Sequence, residues 1–166
     1  MPRFSREELT QAFATFEATV AEAARTHDWD AWVGHYTPDV DYIEHAMGTM
    51  KGRDEVRAWI TRTMGTFPGS YMTEFPSLWS VIDEDTGRVI CELDNPMRDP
   101  GDGTIISATN ISIVTYAGDG LWSQQEDIYN PLKFVQAGIT WCKKARELGT
   151  LDDEAAAWLQ QFEGHK

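Results

Sequence analysis

Four extended runs separated by turn signals occupy residues 73–131, and that spacing restricts the fold more than any other feature of the chain. Residues 73–83 and 88–94 are joined by Glu84-Asp85-Thr86-Gly87, a hairpin connection. Prolines and glycines make 95–103 a longer loop. Residues 104–116 are rich in Ile, Thr and Val, side chains that suit a pleated surface. Gly118-Asp119-Gly120 then turns the chain into Leu121-Trp122-Ser123-Gln124-Gln125-Glu126-Asp127-Ile128-Tyr129-Asn130-Pro131. Four strands met in this order pair as an antiparallel meander. The last of them mixes acids, amides, a tyrosine and a tryptophan, so it either faces water on one side or lines a wet cavity.

Helical patterns flank the meander. Ser5 and Glu8 form a capping box, and Leu9, Ala12, Phe13, Phe16, Val20 and Ala24 recur at helical spacing to about Thr26. Asp28 can cap a short second helix through Tyr36, which Thr37-Pro38 ends because the residue before a proline avoids the helical region. Residues 40–45 read as a short strand, and Gly48 and Gly52 flank a loop. Asp54 opens a third helix with Val56, Trp59, Ile60 and Met64 on one stripe. After the meander, Asn130-Pro131 supplies an N-cap and a first-turn proline for a helix that Gly149 stops. A last amphipathic segment carries Leu151, Ala155, Trp158, Leu159 and Phe162. The order predicts an α+β fold with helices packed on one face of a curved antiparallel sheet.

A chain of 166 residues with this pattern is expected to form one domain. Its net charge of −13 and lack of Lys/Arg runs count against nucleic acid and anionic membranes as partners. The start has no apolar run of the signal-peptide kind and no stretch approaches membrane-spanning length, so a cytoplasmic protein is expected. Cys91 and Cys142, with no metal-type spacing, are expected as buried free thiols.

This element order, with Tyr36-Thr37-Pro38-Asp39, Gly52-Arg53-Asp54-Glu55-Val56 and Tyr116-Ala117-Gly118-Asp119-Gly120, resembles the nuclear transport factor 2-like superfamily, and within it the SnoaL-like group. The resemblance implies a domain over residues 5–134 and a helical extension over 135–166. It implies a cone-shaped sheet wrapped around a long first helix, a cavity open at one end, and a homodimer through the outer sheet face. The superfamily includes ketosteroid isomerases, polyketide cyclases, scytalone-type dehydratases, limonene-epoxide hydrolases and transport adaptors without catalysis, so fold leaves function open.

The resemblance also nominates residues. Glu44-His45-Ala46-Met47-Gly48 resembles the segment that holds the general base of ketosteroid isomerase, with His45 at the base position. Asp41 and Ile43 share its face, since strand side chains alternate. An imidazole there exchanges protons near neutral pH, although a structural histidine at a strand end fits as well. The same alignment turns Asn110 and Ser112 inward, with Ile106 and Val114 beside them. Ser112 stands where the isomerase has an oxyanion-hole aspartate and Val20 where it has a tyrosine, so steroid isomerisation of that kind is not expected.

On the last strand, Gln125, Asp127 and Tyr129 share one face, and Trp122, Gln124, Glu126 and Ile128 share the other. Alternation alone does not choose between them. The resemblance turns the first set inward, and polyketide cyclases of this group use a last-strand aspartate as acid/base. Walled by Phe16, Val20 and Ile43, Asp127 is expected to hold its proton tightly, or to orient His45 if the two are bonded. A solvated strand carboxylate is the other possibility. Glu126 is expected outside, and Trp29, Tyr42 and Trp79 near the ligand or core.

Other groups carry less. His27, His35 and His165 are expected in surface or packing roles. Glu92 and Asp94 lie on a strand whose pocket face the pattern leaves open, and Arg98 falls in a loop. Alternation splits Asp39 and Asp41 from Glu44, so no metal site is expected. The expected protein is an acid/base enzyme needing no cofactor, acting by dehydration, isomerisation, cyclisation or hydrolysis on a small apolar polyketide-, terpenoid- or steroid-like molecule. A pocket that binds without turnover and a dimeric interaction module are the other readings.

Overall fold

The computed structural model describes residues 3–164, which leaves His165 outside the described residues. Helix α1 (Arg6–Thr26) begins at the capping box, where the Ser5 hydroxyl accepts the Glu8 N–H at 3.1 Å. It ends on His27 in the left-handed region, whose N–H reaches the Ala23 carbonyl at 2.8 Å. Leu9, Phe13 and Phe16 form its buried stripe.

The following segment differs from expectation. Helix α2 (Asp30–Val33) is a single turn, and Tyr36 is not helical but opens strand β1 (Tyr36–Glu44). Pro38 sits in the irregular first half of β1, where the ladder to its parallel neighbour skips from Tyr36 to Asp41. A proline, lacking an N–H, is tolerated at such a break. The expected loop at 48–52 instead contains strand β2 (Gly48–Lys51), which folds back antiparallel on β1. Helix α3 (Gly52–Met64) follows directly, with Asp54 and Glu55 in its first turn and the Glu55 carboxylate accepting the Lys51 N–H at 2.7 Å.

The meander is present as β3 (Ser77–Asp83), β4 (Arg88–Pro96), β5 (Ser107–Gly118) and β6 (Leu121–Ile128). The six strands form one curved sheet in the order β2-β1-β6-β5-β4-β3. One pairing departs from the antiparallel expectation. β1 runs parallel to β6, so the sheet is mixed, a geometry that the long connection through α3 and the meander permits. The concave face closes over α1, where fully buried Trp122 meets Phe13 and Phe16 at ring-centroid distances of 6.3 and 5.7 Å.

Trp122 reaches that face through a β-bulge. Thr115 pairs with Gln124 and Tyr116 with Trp122, so Ser123 is the extra residue. Strict alternation would send Trp122 outward with Glu126, whereas the bulge returns it to the side of Gln125. On the outer face Val81, Ile90, Ile113, Glu126 and Ile43 lie side by side in register.

Helix α4 (Pro131–Leu148) starts where Asn130 accepts the Leu132 N–H at 3.0 Å and ends at left-handed Gly149. Helix α5 (Asp153–Glu163) is capped by Asp152. Loop residue Arg98 ties both to the body. Its guanidinium lies 3.7 Å over the Tyr71 ring, bonds Asp152 at 2.8 Å, and its carbonyl accepts the Trp141 indole N–H at 2.7 Å. The Phe67 N–H donates to Glu154 at 2.8 Å, which fixes the 66–69 segment to α5. Cys91 and Cys142 are buried free thiols, pushed up by burial to about 12 and about 11. No helix among the described residues is long and apolar enough to cross a membrane.

Candidate active site

A cavity of about 600 Å³ lies between α1, α3 and the concave face of the sheet. That volume suits a small molecule. Phe16, Val20, Trp29, Trp32 and Trp59 wall it, and the exposed lining residues Ala46, Met47, Arg62, Thr66 and Pro131 mark its mouth. Phe67 and Pro68, the segment held by α5, form part of the same wall.

β1 enters this cavity with the opposite face from the one expected. Val40, Tyr42 and Glu44 are buried, while Asp41, Ile43 and His45 point out. His45 is exposed, and its Nε2 lies 2.8 Å from Glu126 Oε1 on the outer surface. Asp41 is bound to Lys51 at 2.6 Å, and Ile43 belongs to the outer stripe. The alternative in which Asp127 bonds and orients His45 is therefore absent among the described residues, and His45, Asp41 and Ile43 are removed from the cavity set. A shift of one residue in a strand moves every side chain to the other face. Val40 and Tyr42 give the inward face an apolar character, but it also carries Glu44 while the other carries Ile43, so alternation alone does not choose between them. Trp79 is also outside, donating its indole N–H to Glu92 at 2.6 Å.

On β6 and β5 the structure brings the nominated polar groups together. Gln125, Asp127 and Tyr129 line the cavity, as does Asn110. Ser112 is buried behind them, and Val114 is core rather than lining. Asp127 Oδ1 accepts Ser112 Oγ at 2.5 Å and Gln125 Nε2 at 3.0 Å, and Oδ2 accepts the Tyr42 hydroxyl.

Each donor is itself oriented. Asn95 Nδ2 donates to Asn110 Oδ1 at 2.9 Å, and Asn110 Nδ2 to Ser112 Oγ at 3.0 Å. The Tyr36 hydroxyl donates to Gln125 Oε1 at 2.5 Å, and Gln125 Nε2 also donates to the Tyr42 oxygen at 3.0 Å. Two relays of donors thus converge on one carboxylate, and bonds aligned head to tail reinforce one another. A carboxylate offers about four acceptor sites. Three are taken among the described residues, and the remaining one is on Oδ2.

Electrostatics pull Asp127 both ways. Burial raises its proton affinity, the bonds from Ser112, Tyr42 and Gln125 lower it, and the Glu44 charge raises it again, leaving the group above its ordinary value. Burial and the Asp127 charge push Tyr36 and Tyr42 well above 10, so both stay protonated donors. Burial, then the nearby Glu44 and Asp127 carboxylates, push Tyr129 up as well.

Sequence reasoning missed two members of this site. The pattern puts Tyr36 at the end of a helix, and it weighs Glu44 only as a metal ligand, a role that alternation sets aside. Glu44 is 3% exposed, lines the cavity, and stands beside Asp127 in the β1–β6 register. No cluster of three or more His, Cys, Asp or Glu among the described residues could hold a metal ion.

A mixed sheet curved over a long first helix, enclosing an apolar cavity with a polar floor, is the architecture of the nuclear transport factor 2-like proteins. The model of the SnoaL-like domain matches residues 16–125, and the chain belongs to that family. An epoxide hydrolase of the limonene-epoxide hydrolase-like type from M. tuberculosis superposes with a TM-score of 0.62 at 12% identity, covering 88% of this chain and 95% of that one. A Jannaschia sp. CCS1 protein assigned as a SnoaL-like polyketide cyclase gives 0.62 at 15% identity, over 82% and 96%. A Catenulispora acidiphila protein of ketosteroid isomerase-like fold, in complex with trimethylamine, gives 0.58 at 18%, over 80% and 93%. At these identities the likeness is one of fold. No match was found among curated protein sequences.

Proposed function

We propose that this protein transfers protons on a small, largely apolar molecule bound in the cavity, with Asp127 as the acid/base group. The convergence of two donor relays on a buried carboxylate with one acceptor site left carries this reading. Oδ2 would take a proton from the ligand while Ser112, Tyr42 and Gln125 spread the charge that remains. The raised proton affinity would let Asp127 return that proton to a second atom. Isomerisation, dehydration and cyclisation all consist of such an exchange. Tyr129, a neutral O–H on the cavity wall, would position a ligand oxygen. The epoxide hydrolase, the polyketide cyclase assignment and the small ligand of the Catenulispora protein support this reading.

The reading extends to assembly. The outer stripe of Val81, Ile90, Ile113 and Ile43 would bury against a second copy, and a monomer in sedimentation equilibrium would refute that part. For the chemistry, apolar enolisable ketones incubated with the protein in D2O provide an assay that needs no natural substrate. Deuterium incorporation catalysed by the wild type should fall about 100-fold or more in Asp127→Asn. Catalysed exchange that survives this substitution would sink the assignment.

A further inference from the structure

The cavity holds a second carboxylate that proton transfer by Asp127 leaves unused. Neither oxygen of Glu44 has a hydrogen bond of ordinary geometry among the described residues, although the group is 3% exposed. A buried carboxylate with no well-formed hydrogen bond is costly unless a partner of opposite charge is supplied, and one neutral hydroxyl nearby does not offset its charge. The walls supply no such partner at that depth. Among the described lining residues Arg62 alone is basic, and it is exposed at the mouth. The surroundings of Glu44 are aromatic instead. Tyr42 is the next inward residue on β1, Trp59 packs on it with ring centroids 4.8 Å apart, and the Tyr129 hydroxyl stands near enough to Glu44 to interact with its carboxylate as a neutral donor. Aromatic faces attract cations, and a net charge of −13 favours them at longer range.

We propose that the ligand is a cation: an apolar amine or quaternary ammonium whose charged end sits at Glu44 against Tyr42 and Trp59. The inference rests on the proton-transfer reading for where the reactive atom lies, at Asp127, and stands without it for binding. A neutral or anionic ligand would leave the Glu44 charge without a counter-charge in the cavity.

The test is a tryptophan-fluorescence titration with benzyltrimethylammonium and with neopentylbenzene, its uncharged carbon counterpart. Wild type should bind the cation at least about tenfold more tightly than the hydrocarbon. Glu44→Gln should shrink that preference to about twofold while keeping its affinity for neopentylbenzene. If the glutamine variant loses both ligands, Glu44→Asp decides, because it keeps the charge: a retained cation preference supports the proposal and its loss overturns it. Neopentylbenzene bound as tightly as the cation by wild type, a preference that survives Glu44→Gln, or binding of neither probe overturns it too. Loss of the cation preference with Asp127-dependent exchange intact removes the ligand class alone. Cation preference without exchange removes the proton-transfer reading alone.

Discussion

The dependence of folding stability on pH offers a test of Asp127 that needs no substrate. Asp127→Asn removes the charge and keeps the shape. Two effects compete for the proton: bonds from Ser112, Tyr42 and Gln125 favour the carboxylate, while burial, aided by Glu44, favours the neutral acid and prevails. The folded protein therefore holds this proton more tightly than the unfolded chain does. A carboxyl raised in this way contributes its full stability below the ordinary aspartate value of 3.8, and loses it as pH climbs through the folded value. The asparagine variant has no such proton to lose. Its stability relative to wild type should improve across that window, by about 1.4 kcal/mol for each tenfold by which folding tightens the proton. At the acid end the variant should start roughly 1 kcal/mol weaker, because its amide N–H faces the Tyr42 hydroxyl, which must turn to accept. Urea denaturation of both proteins from about pH 3.5 to about pH 8 gives the difference directly, and the other titrating groups largely cancel. A variant that grows weaker relative to wild type as pH rises would refute the reasoning. The donor relays, not burial, would then set the proton affinity, and Asp127 would be unsuited to returning a proton.

Tyr42→Phe removes the donor to Oδ2 and an acceptor of Gln125, so the pH–rate profile for exchange should move upward. The same change should cost about 1–2 kcal/mol in urea denaturation, and an unmoved profile would count against Tyr42 as a donor to the ionised acid. His45→Ala should leave the exchange rate within about twofold and stability within about 1 kcal/mol, since the side chain is exposed. A tenfold or greater loss would restore His45 as a base. Arg98→Ala removes the stack on Tyr71 and the bond to Asp152, and scanning calorimetry should find a loss of about 1–2 kcal/mol, or roughly 2–8 °C in Tm. An unchanged Tm would show that α4 and α5 are held without it.

What the sequence determined by itself is local. Ser5 with Glu8, Asn130 with Pro131, and Gly149 mark helix ends because caps satisfy backbone groups within a turn of their own position. Glu84-Asp85-Thr86-Gly87 and Gly118-Asp119-Gly120 are legible as turns for the same reason, and they carry the meander with them. Alternation along β1 and β6 likewise separates two faces, but it is symmetric and does not say which one meets the core. On β6 the resemblance to a family chose the face of Asp127, and on β1 the same alignment was one residue out. Only the tertiary structure decided that Glu44 and Tyr42 enter the cavity while His45 stays in solvent, that Ser123 bulges so that Trp122 can bury beside Gln125, and that β1 lies parallel to β6. Those outcomes depend on pairings between residues about 80 positions apart, such as Glu44 with Asp127. No local pattern encodes such a pairing, because its free energy comes from the cavity and core that the two strands build together.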